Sequence, residues 1–238
     1  MRKRSVKPRF YENGIASRRE VGRLGIYANP RFQTAVEEAQ ATWAAADPLR
    51  CADRAACSVA GDRVIVPFFG RPHAVGHPSG LVTVPSADDP AEAEKTVHVS
   101  IAILLLHYLL TADGTPPSGR LLAFRGLPGG MFYAEAFAAK AEAVLARCVV
   151  DNVASVEKVE GLSREAAGLG GQVLDLADVS FGFNALPLLP MAVLLWRGDD
   201  EFAGEARILF DAYAHHCLPT EDLAGIGDWL AHRLVREW

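Results

Sequence analysis

From Ile101 to Leu110 the chain is apolar or aromatic at every position except His107, and it halts at Thr111-Ala112-Asp113-Gly114. Ten residues extend about 15 Å as a helix, about half of a bilayer's hydrocarbon core. The segment therefore reads as a buried element and not as a membrane span. Asp88-Asp89-Pro90 precedes it, and acids in a first turn complement the helix dipole. The pattern predicts a helix from about 91 to 111 whose second half is apolar all round. Such a helix has no face for solvent, so the rest of the chain must pack around it. Half of the 238 residues are apolar and 22% are charged, which supplies that core and argues against wholesale disorder.

Asn29-Pro30 opens the first helix as cap and first-turn proline. Phe32, Val36, Ala39 and Trp43 recur on one face until Asp47-Pro48 closes it. Residues 64–69 and 80–84 read as strands, with turns at Gly61-Asp62, Gly70-Arg71-Pro72 and His77-Pro78-Ser79-Gly80, which makes a small antiparallel meander. After the long helix come a strand at 120–124 and a helix behind Leu127-Pro128-Gly129-Gly130, striped by Phe132, Phe137, Ala141, Val144 and Leu145. A weaker helix at 152–167 ends at Gly168-Leu169-Gly170-Gly171. Strands are expected at 172–176, 178–184 and 190–196, then an acidic turn at Gly198-Asp199-Asp200-Glu201 and a strand around Arg207–Phe210. Thr220 is the expected cap of a last helix, with Glu221 and Asp222 in its first turn and Leu223, Ile226, Leu230 and Leu234 as its apolar face. This order predicts an α+β class: one domain over 29–238 with an antiparallel or mixed sheet, a buried central helix and a C-terminal helix, preceded by a basic arm over 1–28.

Charge separates that arm from the body. Residues 1–31 hold nine Lys/Arg and two Glu, so +7 sits at the head and −12 on the remainder of a chain whose total is −5. An acidic body argues against general nucleic-acid binding, which needs a basic face to displace counterions. The arm alone could meet an acidic protein, RNA or anionic lipid; a solvated tail is the competing reading. Arg9-Phe10-Tyr11-Glu12-Asn13-Gly14 stands where a secretory signal would need an apolar stretch, and Glu20, Arg23 and Asn29 interrupt whatever follows Ser17-Arg18-Arg19. The expected location is cytoplasmic. Four scattered cysteines, Cys51, Cys57, Cys148 and Cys217, suit a reducing compartment, and the five residues between Cys51 and Cys57 match no common zinc or redox spacing.

Candidate chemistry concentrates in two stretches, Leu105–Gly114 and Leu209–Leu223, each an apolar element running into a polar turn. They contribute His107, Tyr108 and Asp113, then Asp211, Tyr213, His215 and Glu221. If the strand at 206–210 packs against the long helix, the two turns line one small-molecule pocket beside Arg125 and Gly129-Gly130, whose amides could cradle an anion. Two separate, internally satisfied turns are the alternative. For a metal, the candidates are His215 and Cys217, which converge if 215–217 is extended, with His73 as a distant partner; imidazole plus thiolate suits zinc, iron, copper or the axial position of a tetrapyrrole. Asp211 and Glu221 could serve as paired carboxylates, although helix electrostatics alone account for Glu221 and Asp222. No nucleophile elbow, Walker lysine or metalloprotease helix motif is present.

Arg71-Pro72-His73, Leu106-His107-Tyr108-Leu109 with Asp113-Gly114, and Phe124-Arg125-Gly126-Leu127-Pro128-Gly129-Gly130 occur in that order. Trp196–Phe202, Leu209-Phe210-Asp211 and Leu218–Leu223 follow. In these motifs the chain resembles domain of unknown function family 3786, of bacteria and archaea, over about residues 30–237. The family brings no assigned reaction. Some relatives carry a four-cysteine iron–sulfur module like that of corrinoid proteins, so the resemblance implies a setting in corrinoid or iron–sulfur metabolism. This chain departs from those relatives in lacking a run of four closely spaced cysteines. The resulting expectation is an accessory domain that binds a small molecule or a protein partner. A metal- or tetrapyrrole-binding protein using His215 and Cys217 is the runner-up, and a carboxylate-dependent hydrolase the third reading.

Overall fold

In the computed structural model, which describes residues 15–16, 30–84, 95–148, 156–198 and 202–235, the first element is an edge strand, Ile15–Ala16 (β1), paired antiparallel with residues 96–97. The rest of the basic arm lies outside the described residues. Pro30–Ala45 (α1) buries Val36, Ala39 and Trp43 along one face. Asp47 does not simply close α1: its Oδ1 accepts from the N–H groups of Leu49 and Arg50, and so starts a second helix, Pro48–Arg54 (α2), that the hydrophobic pattern does not announce.

Four strands come next: Ser58–Ala60 (β2), Arg63–Phe68 (β3), Arg71–Gly76 (β4) and Val82–Val84 (β5). Arg71-Pro72-His73 is therefore strand and not turn. The register pairs Phe68 with Arg71, leaving Phe69-Gly70 as a two-residue hairpin loop with φ of 45° and 72°. Such a loop needs positive φ at both positions, which glycine accepts freely and phenylalanine only when held by its surroundings. Phe69 is buried and its N–H donates to Ala185 O at 3.0 Å, which holds it.

Lys95–Val97 (β6) takes the place of the expected front of the long helix. Thr96 pairs with Thr83, and β-branched residues on a half-buried sheet outweigh the helical reading there. The helix begins only at Val99 and runs to Thr111 (α3), with His98 as cap accepting from Ser100 N–H. Its positions 91–94 lie outside the described residues. Leu105, Leu106, Tyr108 and Leu109 have no exposed surface, as an all-round apolar helix requires.

Leu121–Ala123 (β7) leads through a 3-10 turn at 124–126 to Gly130–Phe137 (α4). A π-helical segment, Ala138–Glu142, and a short helix, Ala143–Ala146 (α5), continue it. The π segment delivers Glu142 to the sheet, where its Oε1 accepts from Ile208 N–H at 3.1 Å. β7 pairs only with residues 209–211, so Glu142 satisfies a strand amide just beyond the end of β7. Val156–Gly168 (α6), Gln172–Val173 (β8), Val179–Leu186 (β9), Leu189–Trp196 (β10), Glu205–Asp211 (β11) and Thr220–Leu234 (α7) complete the chain. The start of the expected 152–167 helix and most of the acidic turn at 198–201 lie outside the described residues. Thr220 is the first residue of α7 and not its cap; its hydroxyl donates to Pro128 O.

The strands form two sheets, ordered β1-β6-β5-β4-β3-β2 and β7-β11-β10-β9-β8, with every pairing antiparallel. One hydrophobic cluster joins both sheets to α3 and α7, so the architecture is a single α+β domain around a buried helix. The Tyr108 hydroxyl ties its centre together, donating to Ala55 O at 2.7 Å and accepting from Leu188 N–H at 3.2 Å. Among the described residues no helix is long and apolar enough to cross a membrane.

Candidate functional site

The C-terminal half of α3 and the segment from Asp211 into α7 dock directly. Two imidazole–carboxylate pairs and one hydroxyl join them: His107 Nδ1 to Asp222 Oδ2 at 2.6 Å, His216 Nδ1 to Asp113 Oδ2 at 2.7 Å, and Thr111 Oγ1 donating to Cys217 O at 2.6 Å. An ionised carboxylate only accepts, so each Nδ1 carries a proton and, in the neutral ring, Nε2 is the basic nitrogen. The hydrogen bond that His107 donates to Asp222 holds the His107 pKa above its ordinary value, against the opposing effect of burial. His216, helped by Thr115, holds the Asp113 carboxyl well below the usual carboxylate range. The two motif stretches thus meet, but through Asp222 and His216. From sequence, helix electrostatics alone account for the first, and the second is not among the candidates.

The other expected site residues disperse. Tyr108 is in the core, and burial pushes its phenol far up. Asp211 is fully buried; its carboxylate accepts from Ser118 N–H, Gly119 N–H, Tyr213 N–H and the Ser118 hydroxyl, all at 2.8–3.0 Å. Burial raises its pKa, but those donors outweigh it and the carboxyl is held below its ordinary value. Asp211 therefore organises the 116–119 loop. Tyr213 is exposed beside His216, with ring centroids 5.5 Å apart. Glu221 is exposed, accepts from Tyr133 OH at 2.8 Å, and sits below its usual pKa through its own backbone N–H first and Tyr133 second. Asp211 and Glu221 thus serve different partners and do not share a proton.

Arg125 is exposed on the turn before α4. Gly130 is required by packing, because a Cβ there would sit 2.0 Å from Phe124 O. Its N–H donates to Leu127 O, so this amide is not offered to an anion. Gly129 takes the left-handed conformation at φ 75°.

The metal candidates do not converge. Residues 214–216 are a 3-10 turn and not extended, which removes the alternation that would bring His215 and Cys217 together. His215 is exposed, while Cys217 is buried, donates to Leu188 O, and has its thiol pushed up to about 12 by burial. His73 lies on β4 with Nδ1 bonded to Arg71 O at 2.9 Å. Among the described residues no three His, Cys, Asp or Glu side chains group as a metal site.

A cavity of about 200 Å³ opens instead between the first turns of α3 and α7. Ile101, Ile103 and Leu104 form one wall, Phe68 and Trp229 another, and Asp222 and Gly225 line the α7 side. Its single carboxylate is the one that holds His107. Sequence reasoning passes over these residues because each looks like an ordinary core or capping position; the one usable signal is Trp229, a large aromatic off the Leu223, Ile226, Leu230 and Leu234 stripe.

Comparison with curated proteins finds no match, and comparison with solved structures finds none either. The profile described as Domain of unknown function (DUF3786) matches residues 47–233, a span from the cap of α2 to the last turn of α7 that includes every wall of the cavity except Phe32 at its mouth. The chain belongs to that family.

Proposed function

We propose that this chain is a ligand-binding accessory domain, and that its ligand places an apolar body in the cavity between α3 and α7. The observation that carries the reading is the cavity itself: about 200 Å³, walled mostly by apolar side chains, with Asp222 as its one charged wall residue. An apolar cavity of about 150 Å³ suffices to bind benzene, so this one admits a ring or a short chain. Pockets for drug-sized ligands run from about 300 Å³ upward, so the occupant is small or enters only in part. A tetrapyrrole macrocycle exceeds that space, which favours the accessory reading over the cofactor-binding one. The four cysteines form no disulfide among the described residues, which supports a cytoplasmic setting. Service to a corrinoid or iron–sulfur protein is the context that the family resemblance implies for such a domain.

Benzene titration followed by ligand-detected NMR tests the reading. Gly225 sits on α7, lines the cavity, and a Cβ there would meet nothing within 4 Å. Gly225→Leu should fill the space without a backbone clash and with a gain in helix propensity. We expect millimolar benzene binding to the wild type and none to Gly225→Leu, with unchanged circular dichroism. Equal binding by both proteins, or none by the wild type, overturns the assignment.

A further inference from the structure

Besides the indole of Trp229, the polar side chains in the cavity wall are Asp222 and Ser100, and what both offer is lone pairs. His98 Nδ1 accepts from Ser100 N–H at 3.3 Å, so this nitrogen carries no proton, and the Ser100 hydroxyl donates its own hydrogen to it at 2.8 Å. Only the acceptor side of that hydroxyl remains. Asp222 accepts from His107 on Oδ2 at 2.6 Å. A carboxylate has about four acceptor sites on its two oxygens, and this bond uses one. The raised pKa of His107 favours its charged form, and with a charged imidazole the pair has no net charge to offer an ion. Phe32, Phe68 and Trp229 add three aromatic rings to the same wall.

Resting on the cavity reading above, we infer that the ligand is a small neutral aromatic of the phenol class, its ring among Phe32, Phe68 and Trp229 and its O–H donating to Asp222. Size, shape, polarity and charge each narrow the class. A cavity of about 150 Å³ holds benzene, and this one, at about 200 Å³, takes a single substituted ring. Aromatic rings meet aromatic walls in edge and offset arrangements that a saturated chain does not reproduce. A hydroxyl buried without an acceptor weakens binding, whereas one bonded to a carboxylate strengthens it, here by roughly tenfold. A charged head group would leave its hydration behind and find apolar walls and a carboxylate already paired.

Benzene, phenol, benzonitrile and benzylammonium share one ring and differ in carrying no polar group, a donor, an acceptor alone and a charge. Titrated against the full chain by ligand-detected NMR at pH 7, phenol should bind the wild type roughly tenfold tighter than benzene, with benzonitrile and benzylammonium no tighter than benzene. Asp222→Ala should keep benzene and lose the preference for phenol. A second measurement is independent of how that variant folds. Phenol should lower the pKa of His107 in the wild type, because a second donor on Asp222 weakens the bond that holds the imidazole charged, and benzene should not. Phenol binding no tighter than benzene, a preference that survives Asp222→Ala, or a His107 titration that phenol leaves unmoved overturns the inference. Benzonitrile equal to phenol would assign recognition to the Trp229 N–H, and benzylammonium tighter than phenol would assign it to charge; either result overturns it as well. In each of these cases benzene binding still upholds the cavity reading. If none of the four binds the wild type, both the phenol assignment and the cavity reading fall.

Discussion

Replacing Asp211 tests whether this buried carboxylate is scaffold or chemistry. It receives three backbone N–H groups and one hydroxyl, from Ser118, Gly119 and Tyr213. A hydrogen bond to a charged group nets about 1.5–3 kcal/mol. Ser118 and Gly119 are exposed, so water replaces part of the loss in Asp211→Ala, and about 3 kcal/mol remains as the expected destabilisation. For a chain of this size that corresponds to a fall in Tm of about 6–12 °C. Asp211→Asn keeps Oδ1 for Ser118 and Tyr213 but turns an amide N–H against the Gly119 N–H, so its loss should be about half as large. The folded carboxyl sits below its ordinary value, so its contribution is present above the unfolded value of about 3.9 and is lost as pH falls through the depressed folded one. Thermal unfolding followed by circular dichroism at pH 7 and pH 2.5 measures both effects: the gap between wild type and Asp211→Asn should narrow in acid. A Tm change under about 2 °C for the alanine variant, or a gap that does not narrow, refutes the account.

The His107–Asp222 pair runs the other way with pH. A histidine raised by its partner contributes stability fully below the unfolded value of about 6.5 and loses it as pH rises through the folded one. The Tm advantage of wild type over His107→Gln should therefore shrink between pH 6 and pH 8.5, and an advantage that grows would contradict the pairing. At the start of α4, Gly130→Ala places a methyl group 2.0 Å from Phe124 O and should abolish folding or lower Tm by more than 10 °C. Gly168→Ala, with open space at its Cβ, is the control and should be close to neutral in the same melt.

The antiparallel strands β9 to β11, the buried helix α3 and the striped helix α7 were legible because hydrophobic pattern alone determines where such elements bury themselves. Arg71–Gly76 was not, because Arg-Pro-His after a glycine has turn chemistry and becomes strand only by pairing with residues 63–68. Residues 95–97 read as helix for the converse reason: their strand character comes from Thr83 and Val84. The site was half legible. The two motif stretches do meet, but the partners of His107 and Asp113 stand 115 and 103 residues away, and no spacing rule reaches that far. Asp222 has a sufficient local explanation at a helix start, which hid its tertiary one.

Phe69 N–H on Ala185 O joins the β3–β4 loop of one sheet to β9 of the other, and Tyr108 OH joins Ala55 to Leu188 across the core. Parting the sheets would break these links and leave buried backbone groups without partners. Among the described residues the two sheets are thus tied to each other and to the buried helix at two points. Occupancy of the space beside Trp229 should therefore leave the spacing of the two sheets unchanged.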